Sequence, residues 1–105
     1  EEEGIVLKAD TLGSLEALIN ELRELGISIK RAEVGDVDKR DVVEASANRD
    51  ALNRIILAFN VKLLPSVIEE AAKYNVRIFK EKVIYSLLDE IKEWREEEKL
   101  ARERH

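Results

Sequence analysis

Three aspartates close together are the first candidates for chemistry in this sequence. Asp36, Asp38 and Asp41 have a spacing that resembles part of a calcium-binding loop. A loop of that class beginning at Asp36 needs glycine at its sixth position and a bidentate glutamate at its twelfth. The sequence has Asp41 and Ala47 at those positions. We therefore expect Asp38 to cap a short helix, with Asp41 in the first turn of that helix.

The second candidate is the segment Thr11-Leu12-Gly13-Ser14, because a turn before a helix can present backbone N–H groups to an anion. It lacks the glycine spacing of a dinucleotide-binding loop and the Gly-Lys-Ser/Thr ending of a phosphate-binding loop. We expect only a tight turn between a strand and a helix. A phosphorelay receiver would need an acidic pair after the first strand and an aspartate after the third. Here Asp10 stands alone and Asn60 replaces the aspartate.

The side chains do not provide the groups that catalysis usually requires. The one histidine, His105, is the last residue, and there is no cysteine. No catalytic triad, histidine-based metal site or thiolate can therefore be assembled. The serines lie in predicted turns and helices without a base beside them. We expect a protein that is not an enzyme and that uses no cofactor or metal.

Basic residues are the remaining candidates for a binding surface. The net charge is −5, and the acidic excess lies in residues 1–3 and 83–105, so residues 4–82 are neutral. No global field draws this body onto nucleic acid, and any contact with RNA would be local. Lys39 and Arg40, at the start of a predicted helix, and Lys62 are the candidates for contacts with phosphates. A solvated loop is the alternative for each of them.

Strands that alternate with helices are predicted along the body, and this alternation is typical of a parallel sheet. Residues 5–7 and 55–59 are continuously apolar, which favours central strands buried on both faces. Residues 27–34 and 76–79 lie beside or contain charges, which favours edge strands. The predicted strand order is 2-1-3-4, with the first and last helices on one face and the middle two on the other. This fold is a three-layer α/β/α sandwich; residues 48–53 are predicted to form a polar loop.

Residues 83–105 are predicted to form one long helix with two unlike halves, attached to a body made of residues 1–82. After residue 94 the charges lie on every side, so the second half has nothing to bury. We expect a rod that extends beyond the body, with a frayed end as the alternative. The first half is anchored by an apolar stripe at steps of three and four residues: Ile84, Leu87, Leu88, Ile91 and Trp94.

Length and composition set further bounds. A chain of 105 residues with 45% apolar residues is expected to form one domain. Charged residues make up 39%, and Cys, Met and Gln are absent, which is typical of hyperthermophile proteins and also of engineered scaffolds. No apolar run approaches the ~20 residues of a membrane span, and no signal peptide opens the sequence. A cytoplasmic location is expected.

Four blocks of the sequence resemble the third domain of a family of translational GTPases, that of bacterial initiation factor two and archaeal–eukaryotic initiation factor five-B. They span nearly the whole chain in the family's order, and the form KADTLGS resembles the archaeal type. The segment 48–53 departs from the pattern, and we expect no family-wide role for it. The blocks are VLKADTLGSLEAL (6–18), VGDVDKRDVVEA (34–45), LAFNVK (57–62) and VIYSLLDE (83–90).

The resemblance implies a non-catalytic module of an initiation factor with an α/β/α fold. In the family this domain follows a GTPase domain and a β-barrel, and its long helix carries a distal tRNA-binding domain. The implied partners are the small ribosomal subunit and these neighbouring domains, with no membrane and with the isolated chain a monomer. Lys39, Arg40 and Lys62 become candidates for contacts with ribosomal RNA, and residues 83–105 would transmit orientation.

An alternative resemblance leads to a different class of protein. Residues 10–15 followed by 22–29 are similar to the first half of an amino-acid-sensing regulatory module with a ferredoxin-like fold. In that module Gly13 would lie near the ligand, and strands two and three would form an antiparallel hairpin. Here a capped helical segment, residues 38–47, separates those strands, and residues 59–61 do not fit. We therefore favour the initiation-factor interpretation.

Overall fold

The computed structural model describes residues 2–104, so Glu1 and His105 lie outside the described part of the chain. Four strands alternate with four α-helices, and a short 3₁₀ turn, Ala51–Asn53, precedes the third strand. The strands are β1 (Ile5–Ala9), β2 (Ile29–Val34), β3 (Ile55–Phe59) and β4 (Arg77–Glu81). The helices are α1 (Leu12–Glu24), α2 (Lys39–Ser46), α3 (Pro65–Lys73) and α4 (Ile84–Glu103).

The sheet has the predicted order β2-β1-β3-β4, and each neighbouring pair of strands is parallel. In the middle of the sheet Leu7 of β1 pairs with Ala32 of β2 and with Leu57 of β3. Both central strands are buried along their whole length, whereas the two edge strands are largely half-buried. Because β2 and β3 do not form an antiparallel hairpin, the ferredoxin-like alternative is wrong.

Two apolar layers cover the two faces of the sheet, as predicted. Side chains of β1 alternate between them, because successive residues of a strand point to opposite faces. On one face Ile5 and Leu7 pack with the buried residues of α1 and α4. On the other face Val6 packs with α2 and α3. The fold class predicted from the sequence, a three-layer α/β/α sandwich with a long last helix, is confirmed.

Local signals fix where the helices begin. Thr11 caps α1, and its Oγ1 accepts a hydrogen bond from the Ser14 N–H group. Asp38 and Asp41 form a reciprocal capping box at α2, in which each carboxylate accepts from the other residue's backbone N–H group at 2.9–3.0 Å. Within residues 2–104 no group of three or more His, Cys, Asp or Glu side chains is arranged to hold a metal ion.

The edge strands begin one or two residues later than predicted, because the apolar residues before them complete helix ends. The Ile27 N–H group donates to Leu22 O at 3.0 Å, and the Val76 N–H group donates to Ala71 O at 2.9 Å. These bonds satisfy helix carbonyls in the pattern of a Schellman motif. The preceding residue is left-handed in each case, Gly26 with φ 73° and Asn75 with φ 56°.

Helix α4 has 20 residues and is about 30 Å long. Leu87, Leu88 and Ile91 are buried in the layer that α4 shares with α1, and Ile84 and Trp94 pack at its border. Trp94 also meets Phe79 edge to face, with ring centroids 6.2 Å apart. No helix among the described residues is long and apolar enough to span a membrane.

Candidate functional site

The first candidate region is the carboxyl edge of the sheet, where the strands end and the connectivity reverses between β1 and β3. Ligands of open α/β sheets bind at such switch points. Asn60 follows β3 in a left-handed conformation with φ 51°. Its side-chain amide donates to Asp10 Oδ2 at 2.6 Å, and its backbone N–H group donates to Glu81 O at 2.8 Å. Asn60 therefore ties together the turns after β1, β3 and β4.

Two buried carboxylate oxygens at or beside this edge have no hydrogen-bond partner within the described chain: Asp10 Oδ1 and Glu90 Oε2. Glu90 lies on α4, close to Glu81 at the end of β4. Burial, followed by the neighbouring carboxylate of Glu81, raises the pKa of Glu90. A partly buried carboxyl group beside a second negative charge is harder to ionise than an isolated one.

The same edge carries a group of exposed lysines. Lys62 lies beside the turn after β2, because its N–H group donates to Asp36 Oδ1 at 3.0 Å and its carbonyl accepts from Val37 at 3.4 Å. It borders a shallow crevice of ≈ 370 Å³, and all three lysines at this crevice are exposed. The crevice is lined by Asp36, Asn60, Val61, Lys62, Lys80 and Lys82.

Of the three predicted phosphate contacts, only Lys62 is at this crevice. Lys39 and Arg40 are exposed in the first turn of α2, and the Arg40 guanidinium lies 3.9 Å from Glu33. Lys80 and Lys82 were not among the predicted contacts. Their spacing of two residues at the end of a strand is the signal that points to them, because such residues share one side of the strand.

A buried ion cluster beneath this edge also escaped prediction. Lys8 in the central strand β1 is only 4% exposed, and its Nζ lies 3.2 Å from Asp41 Oδ2 and 3.2 Å from Glu33 Oε1. Arg31 donates to the same Glu33 oxygen at 2.7 Å. That hydrogen bond is the main cause that raises the pKa of Arg31 and lowers the pKa of Glu33. The cluster holds α2 against the sheet; the signal for it is one lysine in an apolar strand.

The second candidate region is the amino edge, and it centres on the 47–54 loop, defined as residues 47 to 54. The sequence predicts a polar loop here, but Asn48 is only 2% exposed. Its side-chain amide group donates to Gly4 O at 2.7 Å, to Asn53 O at 2.8 Å and to Ala45 O at 3.0 Å. Its Oδ1 accepts from the Gly4 N–H group at 2.9 Å. Asn48 therefore joins the loop to the body, while Ala47, Arg49 and Ala51 are exposed.

The distal half of α4 reaches this loop. The Arg95 guanidinium donates to Leu52 O at 2.8 Å, and Arg102 Nη2 donates to Asp50 Oδ1 at 2.6 Å. The expectation of a rod that extends beyond the body is thus wrong as far as Arg102, because the second half of the helix contacts the body through these two arginines. Arginine side chains are long enough to make such polar contacts from the surface of a helix.

The fold and these two edges define a parallel four-stranded α/β domain with an extended terminal helix held at the amino edge. The family model for Translation-initiation factor 2 matches residues 1–92. The chain belongs to the translation-initiation factor 2 family.

Relatives in archaea agree with this assignment. The chain is 72% identical over 104 residues to a probable translation initiation factor IF-2 of Archaeoglobus fulgidus, covering 99% of this chain and 18% of the relative. It is 50% identical over 104 residues to the corresponding protein of Methanocaldococcus jannaschii, covering 95% of this chain and 9% of the relative. The chain thus spans less than a fifth of the length of these relatives.

A solved structure has the same fold. The crystal structure of GDP-bound aIF5B from Aeropyrum pernix superimposes with a TM-score of 0.91 at 45% identity, covering 95% of this chain and 17% of that chain. The resemblance to the archaeal type of the family, predicted from the sequence, is confirmed.

Proposed function

We propose that this chain is a non-catalytic module that positions an initiation factor on the small ribosomal subunit and transmits orientation through α4 to a distal tRNA-binding domain. The observation that carries the proposal is the shape of α4. Its first half is buried by apolar contacts, and its second half is held to the 47–54 loop by hydrogen bonds of Arg95 and Arg102. A helix of this kind can carry a second body at a defined angle, because it is stiff along about 30 Å.

In this role the anchor of the helix is the apolar set Leu87, Leu88 and Ile91, with Ile84 and Trp94 at its border. The chain works as a cytoplasmic monomer without a cofactor. Nucleotide hydrolysis belongs to a neighbouring domain, since this sequence has no Gly-Lys-Ser/Thr phosphate loop. The neighbouring GTPase and tRNA-binding domains and the ribosome are its partners.

We assign the contact with ribosomal RNA to the carboxyl edge. Lys62, Lys80 and Lys82 converge on one crevice, and Lys39 and Arg40 extend the basic surface towards the start of α2. Five exposed cations at one edge of a body whose net charge is zero form the local positive surface that a phosphate backbone requires.

The test joins this chain to the remaining domains of the Archaeoglobus fulgidus relative and measures binding of the chimera to archaeal small subunits at several salt concentrations. Replacing Lys62, Lys80 and Lys82 by Gln should make the negative slope of log K against log salt less steep by about 2 to 3. This is close to one unit for each lost phosphate contact. An unchanged slope would contradict the assignment of the RNA contact.

A matched control carries the same change of charge at the opposite edge. Arg23, Lys73 and Lys99 are exposed residues near the carboxyl-terminal ends of α1, α3 and α4. Replacing these three by Gln should leave the salt slope close to that of the unchanged chimera. An equal loss in both variants would show a nonspecific effect of net charge.

A further inference from the structure

We infer that the 47–54 loop couples the amino-terminal segment at Glu3 and Gly4 to the distal half of α4, so that a displacement of one displaces the other. The inference rests on the proposed function and deepens it, because it names the contacts through which orientation would reach the helix. It assigns a positioning role to Glu3, Asp50 and Asn53, which are outside the apolar anchor.

The amino-terminal side of the connection is made by one carboxylate. Glu3 accepts hydrogen bonds from the backbone N–H groups of Asp50 at 2.9 Å and of Arg49 at 3.0 Å. The side-chain amide of Asn53 donates to the same carboxylate at 3.3 Å. These N–H groups hold the pKa of Glu3 below its ordinary value. Glu3 therefore binds the loop as an anion binds a set of converging donors.

Gly4 makes this side rigid. Its N–H and carbonyl groups are both bonded to the buried side chain of Asn48. A Cβ atom at position 4 would lie 2.6 Å from Lys30 N and 2.8 Å from Ser28 O, so the backbone passes β2 at a distance that only glycine allows. The segment is thus fixed between the loop and the edge strand.

The helix side is made by two arginines that lie two turns apart on the same face of α4. Arg102 donates to the Asp50 carboxylate, and Arg95 donates to Leu52 O and, at 3.4 Å, to Asn53 Oδ1. Arg102 lowers the pKa of Asp50 more than any other group does. Arg54 stabilises the loop internally, because its guanidinium donates to the carbonyls of residues 48 and 49 at 2.9 Å.

Two residues belong to both sides, and they carry the inference. Asp50 donates its backbone N–H group to Glu3 and accepts from Arg102 through its carboxylate. Asn53 donates its side-chain amide to Glu3 and accepts from Arg95 through its Oδ1. A shift of Glu3 therefore moves the atoms that hold the helix, although Glu3 makes no hydrogen bond to α4 among the described residues. Coupling between sites requires a shared element of this kind.

The contacts on the helix side are weak enough to respond. Asp50 and Arg102 have side chains 40% and 50% exposed, and exposed ion pairs contribute little individually. The distal half of α4 has no buried apolar side chain after Ile91. Its local opening is therefore controlled by these polar contacts and does not require the core to unfold.

The first experiment measures amide hydrogen exchange of the 105-residue chain at neutral pH after Glu3→Ala. Exchange in residues 96–103 should be faster by about twofold or more, whereas residues 84–91 should keep their protection. The matched control is Glu2→Ala, the exposed neighbour of the same type, which should leave α4 unchanged. Faster exchange confined to residues 47–54, or the same effect from both variants, would overturn the inference.

A double-mutant cycle gives the second measurement. Glu3→Ala and Arg102→Ala are compared alone and together by the midpoint of denaturant unfolding, with Arg104→Ala in place of Arg102→Ala as the control pair. Coupling through Asp50 predicts that the effects of Glu3→Ala and Arg102→Ala on stability are not additive. The effects of Glu3→Ala and Arg104→Ala should be additive. Additivity of both pairs would overturn it.

Neither measurement involves ribosomes, so the proposed RNA contact and the proposed coupling can be tested independently. An unchanged salt slope in the binding test removes the RNA contact and leaves the coupling in place. Unchanged exchange in α4 removes the coupling and leaves the binding result as it stands.

Discussion

The amino and carboxyl edges of one sheet differ in how well their polar groups are satisfied. At the amino edge the 47–54 loop bonds the chain at residues 3 and 4 and the distal half of α4, with Asn48 buried at its centre. At or beside the carboxyl edge lie Asp10 Oδ1 and Glu90 Oε2, the two buried side-chain oxygens of the described residues that lack a partner. Leu12, Leu64 and Tyr85 are largely exposed there.

We interpret this difference as a division of tasks between the two edges. Groups that are fully bonded within the chain hold elements in place, and they have little capacity for a partner. Unsatisfied buried oxygens cost stability, and such features gather where a protein makes external contacts. In the roles that we propose, the amino edge positions the helix and the carboxyl edge binds a partner.

The largest effect on stability is expected in the apolar anchor of α4, which lies at neither edge. Ile91 is fully buried between α4 and the sheet, so Ile91→Ala should lower the free energy of unfolding by about 3–5 kcal/mol. Leu100→Ala, on the exposed distal half, should change it by less than about 0.5 kcal/mol. Urea denaturation followed by circular dichroism measures both. Similar losses in the two variants would mean that the distal half is anchored by apolar contacts.

The next effect tests how much the amino edge depends on its buried asparagine. Asn48→Ala removes four hydrogen bonds and leaves the backbone groups of Gly4 and Asn53 with fewer partners. We expect a loss of about 2–4 kcal/mol in the free energy of unfolding. The exposed Asn20 of α1 provides the control, since Asn20→Ala should be close to neutral. A loss below about 1 kcal/mol for Asn48→Ala would mean that residues other than Asn48 stabilise this edge.

A smaller effect of opposite sign is expected at the carboxyl edge. Glu90→Gln removes a charge that lies beside Glu81 and is partly desolvated, so the protein at pH 7 should gain up to about 1 kcal/mol. Glu97→Gln, on an exposed position of the same helix, serves as the control and should have less effect. Thermal unfolding at pH 7 measures both. A loss of stability in Glu90→Gln would mean that the Glu90 carboxylate is favourably bound.

The smallest effect is a response to pH that differs between the edges. The folded pKa values of Glu3 and Asp50 are lowered by their hydrogen bonds to N–H groups and to Arg102, so their stabilisation is complete above the unfolded values. It is lost as pH falls through the folded values, from about pH 4.5 downward. The pKa of Glu90 is raised, so its neutral form stabilises the fold in acid and this contribution disappears as pH rises through the folded pKa.

Carboxyl-carbon NMR titration of these three side chains provides the measurement. Glu3 and Asp50 should titrate below their ordinary values and Glu90 above its own. Glu3→Gln should leave the titration of Glu90 unchanged, because the two residues lie at opposite edges. A pKa of Glu3 at or above its ordinary value would contradict the hydrogen bonds that join Glu3 to the 47–54 loop.

Much of the fold could be predicted because short-range signals in this sequence agree with one another. The two continuously apolar strands had to be central, and the mixed strands had to lie at the edges, because charged side chains keep access to water there. Asp38 and Asp41 formed the predicted cap, since a capping box depends only on residues three apart. The apolar stripe of α4 followed from helical periodicity alone.

The sites were less predictable because they depend on residues far apart in the chain. Lys62, Lys80 and Lys82 meet only because the ends of β3 and β4 are neighbours. Lys8 pairs with Asp41, which is 33 residues away in the sequence, and Arg102 pairs with Asp50, which is 52 residues away. No local pattern distinguishes a lysine or arginine with such a partner from one that faces solvent.

The amino-acid sequence by itself determined the alternation of strands and helices, the strand order and the family, because periodicity, caps and motif blocks are properties of neighbouring residues. The tertiary structure alone decided which polar side chains are buried and which elements they join. Asn48 shows the physical reason. An asparagine in a polar loop is ordinarily solvated, and it becomes a structural connection only where folding surrounds it with unpaired backbone groups at hydrogen-bonding distance.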